Sequence, residues 1–295
     1  MTVPRPSFDD LQLCAGRRAR LHHMMYDRGP GNGTLMILPI DQGLEHGPVD
    51  FFPNPDAEHP LYEFELAVQG NFSAIACHIG LAEKYYPRYA GRIPLVLKLN
   101  GKTNIPPSDD ALSTCTASVA DAIRLGADAV GYTLFVGSPR QDMDIDQLRE
   151  IREEAHASGL PLIIWAYPRG EPIEQKGGTK SLYAVSYAAR VAQEVGADII
   201  KLNFPEGVNQ YCPEPYRNLD VSFADEIHHL MRAAGHSLVI FAGGSKSPDD
   251  EMLGKLRESM EQGATGVIFG RNMWQRPFDA GLAFAGRVKE ILRRY

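Results

Sequence analysis

Residues 196–203, Gly196-Ala197-Asp198-Ile199-Ile200-Lys201-Leu202-Asn203, predict the end of a helix followed at once by a buried strand. Glycine is typical of the position after a helix because positive φ costs it little. The same step recurs as Gly126-Ala127-Asp128-Ala129-Val130 and as Gly263-Ala264-Thr265-Gly266-Val267, and Gly70 begins a looser version. The three close copies lie about 70 residues apart, the length of two strand–helix units, which indicates a repeated βαβα pattern.

Eight short apolar runs extend this pattern along the chain, each followed by a polar or glycine-rich loop and then by a segment of helical period. They span residues 35–40, 74–79, 94–99, 129–136, 161–167, 198–203, 237–242 and 266–270. Nearly continuous apolar runs are typical of parallel strands covered on both faces, and the stretches 118–125 and 183–195 predict amphipathic helices. The predicted fold class is therefore α/β, a single (βα)8 TIM barrel.

The alternative fold is a doubly wound open sheet. It is disfavoured because Asp41-Gln42-Gly43 stands after the first strand, where that fold carries Gly-x-Gly-x-x-Gly. We expect residues 35–295 to form the catalytic barrel domain and residues 1–34 to form an N-terminal helical extension that packs on it. The long loops 47–62, 169–181 and 204–219 all follow strands, at the end of a barrel that holds the active site.

Composition excludes several classes of protein. The 295 residues carry 30 Lys and Arg against 37 Asp and Glu, a net charge of −7, and this argues against nucleic-acid or membrane-surface partners, which need a cationic footprint. No apolar run reaches the ~18 residues of a membrane span, and the N-terminus lacks the apolar core of a secretory signal. The four cysteines form no Cys-x-x-Cys pair, so we predict a reduced, cytoplasmic protein.

Alternation of side chains along the strands predicts which residues point inward. One face of the third, fifth and sixth strands is apolar at first and polar towards its carboxyl end. These faces carry Val96, Lys98 and Asn100, then Ile163, Trp165 and Tyr167, then Ile199, Lys201 and Asn203. We expect this face to be the barrel interior near its catalytic end.

Two lysines within predicted strands, Lys98 and Lys201, suggest chemistry, because lysine is almost never fully buried unpaired. The alternative is that each lies at a strand end with its ammonium group in solvent. If they are buried, desolvation and a second cation lower the pKa of the amine. The free amine then attacks a carbonyl and forms a Schiff base.

Three further side chains complete the predicted site. Tyr167 is expected to donate and accept protons beside Lys201, although a packed core tyrosine remains the alternative. Asp41 ends the first strand, where it either orients the amine and relays protons or serves as a helix N-cap. Trp165, one layer deeper, is predicted to form a wall of the pocket.

The loops after the seventh and eighth strands predict phosphate binding. Gly243-Gly244-Ser245 and Gly270-Arg271 combine backbone N–H groups with a guanidinium group, at the loops where barrel enzymes hold phosphate. Ordinary turn chemistry is the alternative for the glycines. Arg169 is expected either to reach a second phosphate or to be a solvated loop residue. No histidine spacing typical of a metal site occurs at the strand ends, so no metal is predicted.

Six motifs, in this order, resemble archaeal-type class I fructose-1,6-bisphosphate aldolases of the DhnA type. They are Pro39-Ile40-Asp41-Gln42-Gly43-Leu44-Glu45-His46-Gly47-Pro48, Leu97-Lys98-Leu99-Asn100-Gly101-Lys102-Thr103, Trp165-Ala166-Tyr167-Pro168-Arg169-Gly170, Ile200-Lys201, Gly243-Gly244 and Gly270-Arg271-Asn272. The resemblance covers residue 35 to the C-terminus and implies a metal-independent barrel without a cofactor. It implies Lys201 as the Schiff-base lysine, Tyr167 as the acid/base and Asp41 as the residue that assists the iminium steps. The substrate-binding residues expected beside them are Trp165, Lys98, Arg169, Gln42, Gly243, Gly244, Ser245, Gly270 and Arg271.

The activity that the resemblance implies is reversible cleavage of fructose 1,6-bisphosphate to dihydroxyacetone phosphate and glyceraldehyde 3-phosphate. Such a lyase acts in glycolysis and gluconeogenesis as a homo-oligomer, a pentamer-based ring or a decamer, and its partner is the sugar phosphate. Many relatives carry Asp-His-Gly where this chain has Asp41-Gln42-Gly43, so the role of that histidine is absent or has moved to His46. One alternative is a related Schiff-base aldolase or transaldolase-like synthase on another phosphorylated ketose, of the 2-amino-3,7-dideoxy-heptulosonate synthase type. The other is a non-catalytic sugar-phosphate-binding barrel.

Overall fold

Eight parallel strands close into a barrel in the computed structural model, which describes residues 4–244 and 247–295. The strands are β1 (Leu35–Pro39), β2 (Ala74–His78), β3 (Leu95–Lys98), β4 (Ala129–Val136), β5 (Leu162–Pro168), β6 (Ile199–Asn203), β7 (Leu238–Ala242) and β8 (Gly266–Ile268). Neighbours follow the cyclic order β1-β8-β7-β6-β5-β4-β3-β2. The single (βα)8 TIM barrel predicted from the apolar runs is confirmed.

Helices lie between the strands and around the rims of the barrel. Those described are α1 (Ala15–His22), α2 (Gln42–His46), α3 (Leu61–Gln69), α4 (Ile79–Tyr85), α5 (Val119–Arg124), α6 (Gln141–Ala157), α7 (Glu171–Glu174), α8 (Leu182–Glu194), α9 (Phe223–Ala234), α10 (Asp249–Glu261), α11 (Arg271–Trp274) and α12 (Phe278–Leu292). A π-helical turn, His23–Asp27, extends α1, and short 3₁₀ turns occupy Gly47–Phe51, Pro55–Glu58, Tyr86–Arg88 and Tyr216–Asn218. A small antiparallel pair, Asn100–Gly101 with Thr114–Cys115, lies outside the barrel.

Alternate residues of the strands divide between two apolar cores. The outer core lies between the strands and the helices and includes Leu97 and Ile200. The inner core fills the barrel and includes Val96, Ile163 and Ile199, with Trp165 at 1% exposure as its largest member. The predicted inward face is therefore correct for Val96, Lys98, Ile163, Trp165, Ile199 and Lys201, and it directs both lysines into the barrel. Asn100, predicted on the same face, lies beyond the end of β3 and hydrogen-bonds the Thr133 backbone instead.

The repeated glycines end helices as expected, with one exception. Gly126, Gly196 and Gly263 have φ of 67°, 100° and 97°, in the left-handed region that glycine enters readily. Gly70 has φ −71°, and the left-handed position falls on Asn71 at φ 44°. The looser copy of the repeat thus makes the same turn one residue later, with asparagine, the other residue that tolerates this conformation.

The N-terminal segment closes the amino-terminal end of the barrel. Met24 is fully buried in the inner core. Two aspartates of the repeat bind this segment, since Arg17 Nη1 lies 2.8 Å from Asp198 Oδ1 and His23 Nδ1 lies 2.8 Å from Asp128 Oδ1. Packing on the barrel is thus evident, while the division of the chain at residue 34 stays a prediction.

At the opposite end, the loop after β1 is fastened to the loop after β8. The Phe51 and Trp274 rings stack with centroids 5.0 Å apart. Asn54 Nδ2 donates to the Trp274 carbonyl oxygen at 2.8 Å, and Gln275 Nε2 donates to the Asp50 carbonyl oxygen at 2.6 Å. The long loop between Lys98 and α5, which the sequence reasoning did not single out, also lies at this end.

Candidate active site

A cavity of about 350 Å³ opens at the carboxyl ends of the strands, within the usual range for small-molecule sites. Eleven residues predicted as catalytic or substrate-binding line it: Asp41, Gln42, Lys98, Trp165, Tyr167, Arg169, Lys201, Gly243, Gly244, Gly270 and Arg271. Ser245, the remaining predicted residue, lies outside the described residues. The structure therefore brings residues of six strands and their loops to one place, although the individual roles stay predictions.

Lys201 projects from β6 into the cavity beneath two aromatic rings. It is only 5% exposed, and its Nζ lies 4.9 Å from the Trp165 ring centroid and 5.4 Å from that of Tyr167. Burial lowers the pKa of Lys201 to about 8, with Arg271 acting in the same direction and Asp41 opposing it. A solvated strand-end ammonium is thus ruled out, and an appreciable fraction of free amine exists near neutral pH.

Lys98 is the second buried amine, at 2% exposure. Its Nζ donates to Thr133 Oγ1 at 2.6 Å and to the Asn100 carbonyl oxygen at 2.9 Å, and lies 5.2 Å from the centroid of the Trp165 ring. Burial lowers the pKa of Lys98 to about 8 as well, and Lys201 contributes to this lowering. Lys98 Nζ thus has acceptors that favour its charged form, whereas Lys201 Nζ has no hydrogen-bond partner within the described part of the chain.

Tyr167 is half-buried at the end of β5. Burial raises its pKa well above 10, and the carboxylates of Glu45 and Asp41 add to this rise. The Arg169 guanidinium packs 5.3 Å from the Tyr167 ring centroid and 5.7 Å from that of Phe135. These contacts turn Arg169 back over the cavity. The raised pKa keeps Tyr167 a neutral phenol, which can donate a proton.

Asp41 precedes α2, but its side chain makes no capping hydrogen bond. Its charge instead raises the pKa of both buried amines, Lys98 and Lys201. The carboxylate therefore faces the cavity rather than the helix, as expected of a residue that orients an amine or an iminium.

At the predicted phosphate end of the cavity, the backbone at two glycines lies very close to neighbouring side chains. A Cβ on Gly270 would lie 2.6 Å from Gln42 Nε2, and one on Gly243 would lie 2.8 Å from Asn272 Nδ2, so neither position admits a side chain without movement. Gln42 Oε1 is buried without a partner among the described residues. Gly270 leads into α11, whose first residue is Arg271. This corner offers backbone N–H groups, an amide and a guanidinium group, which are suited to a phosphate group.

Sequence reasoning gave no role to Glu45, His78 and Thr133, which line the cavity, and named His46 only as the residue to which the role of a relative's histidine could have moved. Burial lowers the pKa of His78 to about 4, and Lys98 contributes, so this imidazole is neutral; its Nδ1 is buried without a partner in the described segments. Burial alone would raise the pKa of Glu45, but pairing with His46, whose Nε2 lies 3.7 Å from Glu45 Oε1, and the nearby cations Lys201 and Arg169 lower it to about 2. The end-of-strand rule that selected Asp41 would also have selected His78, the last residue of β2.

Within residues 4–244 and 247–295, no three His, Cys, Asp or Glu side chains are grouped so that they could hold a metal ion. No helix in the same part of the chain is long and apolar enough to cross a membrane.

Comparison with known proteins gives the family. The model of the DeoC/LacD family aldolases matches residues 35–276. The chain belongs to the DeoC/LacD aldolase family. This aldolase is 37% identical over 261 residues to the class 1 fructose-bisphosphate aldolase of Thermoproteus tenax, which covers 88% of this chain and 90% of that protein. It is 30% identical over 269 residues to a fructose-bisphosphate aldolase/6-deoxy-5-ketofructose 1-phosphate synthase of Methanocaldococcus jannaschii, covering 88% and 81%.

Solved aldolase structures share the same barrel. One is a Schiff-base-forming fructose-1,6-bisphosphate aldolase, with a TM-score of 0.79 and 34% identity over 92% of this aldolase and 99% of that chain. Another is a fructose-bisphosphate aldolase from Slackia heliotrinireducens, with a TM-score of 0.84 and 26% identity over 99% and 92% of the two chains. The family resemblance read from the motifs is confirmed.

Proposed function

We propose that this chain is a class I fructose-1,6-bisphosphate aldolase, which cleaves its substrate reversibly through a Schiff base on Lys201. The observation that carries the proposal is a buried amine with a lowered pKa beneath Trp165 and Tyr167. The named relatives support the choice of sugar, because class 1 fructose-bisphosphate aldolases are among them.

In the proposed reaction, the Lys201 amine adds to the C2 ketone of the open-chain sugar, and loss of water leaves an iminium. Tyr167 accepts the C4 hydroxyl proton as the C3–C4 bond breaks, and the bonding electrons move into the iminium to give an enamine. Since burial holds Tyr167 as a neutral phenol, it passes its own proton to the Asp41 carboxylate as it takes up the C4 proton, and the same relay later returns a proton to C3 of the enamine. Glyceraldehyde 3-phosphate departs, C3 of the enamine is protonated, and hydrolysis frees dihydroxyacetone phosphate and Lys201.

The remaining lining residues fit the two phosphates and the cationic intermediate. Gln42, Gly243, Gly270 and Arg271 would hold the phosphate on C1. Arg169 is proposed for the distal phosphate, since its guanidinium group lies over the cavity without a carboxylate partner in the part of the chain that the structure describes. Asp41 would stabilise the iminium by its charge.

A sibling activity on another phosphorylated ketose would use the same lysine and tyrosine, and the M. jannaschii relative carries a second synthase name. Cleavage assays on fructose 1,6-bisphosphate beside other ketose phosphates separate the two. A cytoplasmic location and assembly into a homo-oligomer stay predictions.

The deciding experiment is reduction with borohydride in the presence of dihydroxyacetone phosphate and a chelator, followed by mass analysis of the digest. We expect one reduced adduct, on Lys201, and none in Lys201→Met. Lys102→Met is the matched control, because Lys102 lines the same cavity from a loop and should leave the adduct intact. A folded wild-type protein that forms no adduct would refute the Schiff-base proposal.

A further inference from the structure

A row of four charged side chains, Glu45, His46, Asp50 and Arg271, runs along the phosphate end of the cavity. Arg271 Nη1 lies 3.6 Å from Asp50 Oδ1, and Asp50 Oδ2 lies 2.5 Å from His46 Nδ1. The other ring nitrogen, His46 Nε2, lies 3.7 Å from Glu45 Oε1. This charged row connects the arginine proposed for phosphate with a carboxylate that faces the catalytic amine.

Asp50 is held beside Arg271 by the backbone as well as by the ion pair. Its carbonyl oxygen accepts the Gln275 Nε2 hydrogen bond at 2.6 Å, and the neighbouring Phe51 ring stacks on Trp274. These contacts, none of which involves residue 46, hold the Asp50 backbone close to Arg271.

That arrangement opposes phosphate binding unless the Asp50 charge is compensated. The Asp50 side chain is only 13% exposed, so solvent screens it poorly and it repels an anion that approaches Arg271. His46 supplies the compensation: its Nδ1 lies 2.5 Å from Asp50 Oδ2, and pairing with the Glu45 and Asp50 carboxylates raises the pKa of the imidazole, while burial opposes this rise. With the imidazolium in place, Asp50 still orients Arg271 but no longer cancels the positive charge of its guanidinium group.

We propose that His46 is a positioning residue for the substrate phosphate: it neutralises Asp50 so that Arg271 presents its charge to the phosphate group. This inference rests on the proposed function, because it takes a ketose phosphate bound at Lys201 as the ligand. It also gives the Glu45-His46 motif a part in ground-state binding of the substrate phosphate.

The test compares a ketone with and without phosphate. Borohydride trapping on Lys201 is measured against the concentration of dihydroxyacetone phosphate and, separately, of dihydroxyacetone. The variants are His46→Gln, which removes the charge but keeps a donor, and His46→Gln combined with Asp50→Asn. His236→Gln is the control, because this exposed histidine lies just before β7 at the opposite end of the barrel.

We expect His46→Gln to raise the half-saturating concentration of dihydroxyacetone phosphate about fivefold, the upper range for a partly exposed ion pair, and to leave that of dihydroxyacetone unchanged. Adding Asp50→Asn should restore most of the lost affinity. An equal loss for both ketones, no loss, or a double variant weaker than the single one would overturn the role of His46. If wild-type protein traps neither ketone, the proposed function itself fails, and this inference fails with it.

Discussion

Replacing Lys98 by methionine should raise the pKa of Lys201 and shift imine formation to higher pH. The two amines flank the same Trp165 ring, at 5.2 and 4.9 Å from its centroid. Hydrogen bonds to Thr133 and Asn100 favour the charged form of Lys98. Its charge therefore disfavours an ammonium on Lys201, and methionine removes that charge at similar volume.

The size of the shift follows from the separation. The two Nζ atoms are no more than about 10 Å apart, and at that distance an effective dielectric of ~20 gives ~1.7 kcal/mol, or ~1.2 pKa units. The apparent pKa of Lys201 should rise from about 8 to ~9. At pH 7 the free amine then falls from about one molecule in ten to about one in a hundred. A shorter separation would give a larger pKa shift, so the fraction of free amine expected in Lys98→Met is an upper limit.

The assay is the borohydride-trapping rate with dihydroxyacetone phosphate between pH 6 and 10. The rate should rise with pH through about 8 in wild type, because only the deprotonated amine attacks, and the rise should come about one unit later in Lys98→Met. Lys102→Met should keep the wild-type profile, since that lysine hydrogen-bonds loop carbonyls in an exposed position. An unchanged inflection in Lys98→Met, or a loss equal at every pH, would refute the coupling.

Three further changes test other parts of the molecule. Tyr167→Phe should slow cleavage by about 100-fold or more while leaving borohydride trapping near its wild-type rate; equal losses in both would remove the proton-transfer role. Gly270→Ala should raise the KM for the sugar phosphate, because the new Cβ would lie 2.6 Å from Gln42 Nε2; an unchanged KM would dissociate this corner from phosphate. Asp198→Asn should destabilise the fold by about 3 kcal/mol by leaving the partly buried Arg17 unpaired; denaturant unfolding measures this, and a change under ~0.5 kcal/mol would contradict it.

The fold was predictable because its signals are local. Each strand is a short apolar run buried on both faces, and Gly126, Gly196 and Gly263 each end a helix where a left-handed residue is needed. The alternation of side chains also sufficed to direct Lys98, Trp165 and Lys201 into the barrel, because it requires no knowledge of the partner strands.

The phosphate end was less predictable because it depends on closure of the barrel. The Asp50 carbonyl and Gln275 meet although 225 residues separate them, and no periodicity in the sequence signals such a contact. Asn100 differed for another reason: β3 ends at Lys98, and the Asn100 amide instead bonds the backbone of Thr133, accepting from its N–H at 2.7 Å and donating to its carbonyl at 2.8 Å. The alternation of side chains along a strand does not predict that a side chain will take the place of the backbone hydrogen bonds between neighbouring strands.

The order of the strands supports Lys201 rather than Lys98 as the proposed nucleophile. Gly243 follows β7 and Gly270 follows β8, so the proposed site would hold a phosphate on C1 between these neighbouring strands, and C2 of the same sugar lies only a few bonds away. Lys201 is on β6, beside β7, and pairs with Ile240 of that strand, whereas β3 and its Lys98 lie four strands from β7 in either direction around the barrel. In the proposed reaction, one phosphate anchor would therefore place the ketone nearer to Lys201 than to Lys98. Binding energy from the phosphate thus contributes orientation at the reacting carbon, and Lys98 acts through its charge.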